Sequence, residues 1–183
     1  MKPVALLLCV LIISAPLSAK ERLGVYQSWA AFRDPATPRC YAIAAPEETL
    51  RKPTRSAFLS VGFWPKRSTT HQIYISLSRS RATNSGVTLT AGGRRFRLKA
   101  TGAAAWAADR RMDLAIVAAL RSAMSVSVET IGSDGKLLVD AYRLRGAASA
   151  IDSAALGCVG IIRQIGDRID SPKKANLLTK LTF

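Results

Sequence analysis

Asp109-Arg-Arg-Met-Asp-Leu-Ala-Ile-Val-Ala-Ala-Leu-Arg-Ser-Ala123 runs directly into Met124-Ser-Val-Ser-Val-Glu129, and the apolar period changes at the join. Met112, Ile116 and Leu120, with Ala119 or Ala123, recur at helical spacing, and Asp109 and Asp113 sit near the positive end of the helix dipole. The spacing predicts a one-sided helix. Val126 and Val128 then alternate with Ser125, Ser127 and Glu129, and Gly132-Ser-Asp-Gly135 turns the chain into Lys136–Leu144, which predicts a hairpin. Gly146 opens an alanine-rich helix over Ala147–Leu156 that Gly157 can end, and Cys158 follows at once.

Working outward, the same alternation recurs upstream. Ala57, Leu59, Val61 and Phe63 make one face of a strand, and Ile73, Ile75 and Leu77 make one face of the next, opposite Gln72, Ser76 and Ser78. Val87 and Leu89 alternate with Thr88 and Thr90. Ala91-Gly-Gly93 supplies a turn, and Phe96 and Leu98 then alternate with Arg95, Arg97 and Lys99. Cys40–Ala45 reads as a strand, Lys20–Arg39 as one apolar element with Trp29 and Phe32 before a proline-rich turn, and Thr101–Ala108 as a linker centred on Trp106. One wet and one dry face per strand favours a mainly β fold: an antiparallel β-sandwich with one principal amphipathic helix and a short helix near the C-terminal region.

Residues 1–19 read as a secretory signal: Lys2, an apolar run from Val4 to Ile13, and small residues before the expected cut after Ala19. That run is shorter than the ~20 residues a membrane span needs. The expected location is periplasmic or secreted. Residues 20–158 form the expected domain and 159–183 a basic amphipathic extension, in which Leu177, Thr179, Leu181 and Phe183 alternate as the last strand of an outer-membrane barrel does. The helix and the distant cysteines argue against a barrel. Cys40 and Cys158 remain after export, and an even pair in an oxidising compartment most simply forms a disulfide; two unpaired thiols in a redox or metal role lack Cys-x-x-Cys spacing.

No catalytic set, cofactor motif or metal-ligand cluster is read. His71 is the single histidine and, at the start of a strand, reads as a surface residue. The Ala91-Gly92-Gly93 glycines precede no helix and are not a phosphate loop. Charge is the one functional signal: the formal net charge is +15, and Arg79, Arg81, Arg94, Arg95, Arg97 and Lys99 fall in two expected neighbouring strands. These six are the candidate anion-binding residues. Plain solvation of a sheet surface is the competing reading. An RNA-binding sheet would add stacking aromatics to that face; none reads there, and export also points away from nucleic acid. Anionic envelope components, lipid head groups or lipopolysaccharide, or a host-surface partner, fit better, with attachment to membrane peripheral at most.

Trp29, Cys40, Ala57-Phe-Leu-Ser-Val-Gly-Phe-Trp64, the helix Met112–Arg121, the strand Met124–Glu129, Tyr142-Arg-Leu-Arg-Gly146 and the alanine-rich segment into Cys158 come in one order. In that order the chain resembles the invasion-associated locus B family of bacterial envelope proteins. The resemblance implies a compact β-rich periplasmic or secreted domain with its first and last cysteines paired, and it carries no catalytic residues. Trp29 to Cys40 is longer than the family's step, and the residues after Cys158 have no family counterpart. The expected function is a non-catalytic binding or structural domain of the envelope; the alternative is a periplasmic enzyme whose site is assembled from scattered residues.

Overall fold

Alternating apolar residues carry most of the chain into strands. The computed structural model describes residues 19–48 and 52–170, with side chains described through Val159. The strands are β1 (Glu21–Tyr26), β2 (Trp29–Asp34), β3 (Arg39–Ala44), β4 (Phe58–Trp64), β5 (Thr69–Ser76), β6 (Val87–Ala91), β7 (Arg94–Thr101), β8 (Ala104–Trp106), β9 (Ser125–Ile131) and β10 (Leu137–Arg143). Helix α1 (Arg110–Ser122) precedes β9, and α2 (Ala147–Asp170) follows β10. All neighbours pair antiparallel in one ten-stranded sheet, ordered β1-β2-β3-β4-β5-β8-β7-β6-β9-β10.

The mainly β, antiparallel expectation holds, and the two packed layers are parts of one sheet that curls. β10, last in the order, returns to the chain leaving β3: the Glu47 N–H donates to the Ala141 carbonyl at 2.7 Å, and Arg143 pairs with Glu47. The indole N–H of buried Trp29 reaches the Arg143 carbonyl at 2.9 Å, and buried Asp140 accepts the Ser78 N–H at 2.9 Å. The curled inner face is dry. Leu59, Val61, Ile73, Ile75, Val87, Leu89, Val126 and Val128 join Ile116 and Leu120 of α1 and Ile151 of α2 in one core.

Helix α1 begins where its cap predicts. Asp109 accepts the Met112 N–H at 2.8 Å, satisfying an otherwise orphaned donor. Asp113 does more than meet the dipole, since it accepts the Ile73 N–H of β5 at 2.8 Å and ties helix to sheet. Ile116 and Leu120 are buried, Met112 is half-buried, and Arg110, Arg111 and Arg121 are exposed.

Three expectations change. Gly157 does not end α2, which runs on to Asp170, so the boundary drawn at Cys158 falls inside a helix. A methyl group at Gly157 would lie 2.4 Å from Leu23 Cδ1, so this glycine serves the close approach of α2 to β1. Lys20–Arg39 is two strands and the start of a third; the irregular register between Arg22 and Gly24 masks β1. Thr101–Ala108 contains β8, whose Ala104 and Ala105 hide the alternation. Cys40 and Cys158 are disulfide-bonded, joining β3 to α2. The alternation from Leu177 to Phe183 lies outside the described residues. No described helix is long and apolar enough to cross a membrane.

Candidate functional site

The alternation of β7 decides which basic residues act together. Phe96 and Leu98 are buried, and Arg95, Arg97 and Lys99 are exposed on the opposite, outer face. They lie across from Thr90, Thr88 and Trp106 respectively. Arg94 has the parity of Phe96, and its guanidinium stacks over the Phe96 ring at 5.0 Å. Arg79 and Arg81 lie in the connection from β5 to β6. Arg79 donates to the Lys52 carbonyl. Arg81 donates to the carbonyls of Ala82, Thr83, Ser85 and Ala100 at 2.7–3.1 Å, so its fork organises that connection. Of the six expected residues, the fold brings three together on one outer face: Arg95, Arg97 and Lys99.

That face continues into aromatic strands. Directly paired residues in a sheet share a face, so register traces a row through Ile43, Ser60, Tyr74, Trp106 and Lys99 across β3, β4, β5, β8 and β7. A second row runs Phe32, Tyr41, Gly62, Gln72. Small Ser60 and Gly62 on β4 lie between tall Tyr41 and Tyr74 on the flanking strands. The result is a groove of about 640 Å³ lined by Tyr41, Phe58, Trp64, Tyr74 and Trp106, with Lys20 and Arg39 as cations; none of its described lining residues is acidic. The absence of stacking aromatics read from the sequence is therefore corrected. They occupy the parity opposite the core residues: Tyr74 between Ile73 and Ile75, Tyr41 between Cys40 and Ala42, Phe58 and Trp64 at the ends of β4. Reading both parities of each strand would have found them.

Arg39, one of the two cations of the groove, is held in place. Arg39 lies over the rings of Tyr41 at 5.0 Å and Trp64 at 5.3 Å, and its far side pairs with buried Asp34 at 3.3 Å. Arg67, in the 3-10 turn Pro65–Arg67, lies over Trp64 at 5.1 Å. Tyr41 stacks on Phe32 at 5.6 Å, while Tyr74 is 41% exposed and tilted against Phe58 at 5.8 Å.

His71 is not on this face. The β4–β5 register shifts between Gly62 and Trp64, and His71 opposite the shift takes a left-handed backbone, φ 62°, that turns its ring edge-on to Phe63 at 4.9 Å. It is half-buried, not a surface residue as its position predicted. Burial holds it below the ordinary imidazole value, Arg121 and Arg110 add to this, and Asp152 opposes it. Burial raises Asp113, against the hydrogen bond from Ile73, and burial, then the charge of Asp140, pushes the Tyr142 hydroxyl up. Among the described residues no three of His, Cys, Asp and Glu converge.

Fold and face together define a class: a curled antiparallel sheet with two helices in its inner curve and a cationic, ring-lined outer face. No protein-family model, curated protein or solved structure matches the chain.

Proposed function

We propose that this is an exported, non-catalytic binding domain of the bacterial envelope, similar to invasion-associated locus B proteins, that holds anionic envelope components on its outer face. One observation carries the reading: Arg95, Arg97 and Lys99 project together, and Lys99 is in register with Trp106, which lines an aromatic groove whose own cations are Lys20 and Arg39. Solvation alone explains a basic strand; it does not explain rings and held guanidinium groups beside it. The single histidine, turned against Phe63 in the inner curve, takes no part in the face. Export by cleavage after Ala19 would add to the site, because Lys20 would then bring a new α-ammonium group to the groove.

The test is binding to vesicles carrying anionic lipid and to lipopolysaccharide over a salt series. Attraction should weaken steeply between low and physiological salt, where the screening length shrinks to about 8 Å. No binding at low salt contradicts the proposal.

A further inference from the structure

Resting on the outer face as the binding surface, we infer that the groove is a subsite for an oligosaccharide bearing phosphate or carboxylate groups. The lining selects this occupant over an acyl chain. Five of its lining residues are aromatic, Ile43 and Ile73 are the two aliphatic ones, Ile73 being buried in the core, and Ser60, Gly62 and Gln72 lie among the rings. An acyl chain is best covered by an enclosed aliphatic wall. Flat rings beside small polar residues suit a pyranose, which offers an apolar C–H face to a ring and hydroxyl groups to its edges. Ser60 Oγ donates to the Tyr74 carbonyl at 3.2 Å, which leaves its lone pairs to accept from a hydroxyl, and the Gln72 side chain is exposed to donate and accept.

The cations select a charged sugar. Arg39 is fixed by two rings and Asp34, so little side-chain freedom is lost when an oxyanion meets it. Stacking also limits how many rings are open: Trp64 has two guanidinium groups over its ring and Tyr41 has Phe32 and Arg39, so neither offers an uncovered platform to a sugar or a base. Tyr74 and Trp106 remain, side by side in one row that ends at Lys99. From Ile43 on β3 to Lys99 on β7 there are four strand steps of about 4.8 Å, roughly 19 Å, which suits a short chain of sugars with an anion at either end.

The experiment titrates the protein, following its tryptophan fluorescence and binding heat, with the phosphorylated core oligosaccharide of lipopolysaccharide freed of lipid. The comparison probes are the same oligosaccharide stripped of phosphate, phosphatidylglycerol vesicles and a thymidine oligonucleotide. The phosphorylated sugar should bind saturably, and loss of its phosphate should weaken it about tenfold. Tyr74→Ala with Trp106→Ala should weaken binding of the phosphorylated sugar by about tenfold or more. If the double variant does not fold, Tyr74→Ser and Gln72→Ala, both at exposed positions, take its place with the same expected direction. Vesicle binding without sugar binding overturns this inference and leaves the envelope-binding proposal standing. Failure of both overturns both. Tighter binding of the oligonucleotide than of the sugar overturns it in favour of single-stranded nucleic acid.

Discussion

Arg81 and Arg95 differ little as residues in a sequence and greatly in what surrounds them. Arg81 spends its guanidinium on four backbone carbonyls, so it belongs to the fold. Arg81→Ala should cost about 2–3 kcal/mol in chemical denaturation, and Arg81→Lys should not restore it, since an ammonium group cannot reproduce the fork. Equal stability of the lysine variant and the parent would contradict this role. His71 makes the second residue-scale prediction. Its folded pKa lies below the unfolded value of 6.5, so between the two the unfolded chain binds more protons, and stability is full above 6.5 and falls as pH drops below it. Asp113, raised on folding, acts with the opposite sign at lower pH: its ionisation cost is relieved on acidification. His71→Asn keeps a residue tolerant of the left-handed backbone and removes the titration, so it should flatten the stability loss between neutral pH and pH 5. An unchanged pH profile would show that other groups govern it.

Among elements, α1 was readable almost to the residue, because a helical stripe of Met112, Ile116 and Leu120 and an Asp109 cap leave few alternatives. Leu120, 1% exposed, should cost roughly 2 to 5 kcal/mol when cut to alanine, through lost burial and the cavity that remains. A loss below about half a kcal/mol would place α1 outside the core. The disulfide joins β3 to α2 across 118 residues, a loop for which chain entropy gives roughly 4–5 kcal/mol as an upper figure. Reduction should lower the melting temperature and leave the far-ultraviolet dichroism of a mainly β protein. Less was legible where local signals conflict with tertiary ones. Gly157 carries a stop signal, yet α2 continues through it because the absence of a side chain admits Leu23. β8 is three residues, two of them alanine, and becomes a strand only because β5 and β7 lie on either side.

For the whole molecule, the class of fold was legible because parity is a local property; the closure was not. Nothing in β10 announces that its Ala141 carbonyl meets Glu47, or that a sheet expected as two layers is continuous. The candidate site shows the same division. Arg95, Arg97 and Lys99 were found by counting along one strand, whereas the groove is made by residues of β3, β4, β5 and β8 that only pairing brings into rows. A chain with a net charge of +15 attracts anions over its whole surface, so the central claim is one of place. The direct measurement compares Arg95→Ala/Arg97→Ala/Lys99→Ala with Lys173→Ala/Lys174→Ala/Lys180→Ala, two variants of equal charge, for lipopolysaccharide binding over a salt series. The first should lose most of the binding and flatten its salt dependence with little change in melting, and the second should bind like the parent. Equal loss in both would contradict a site on the outer face.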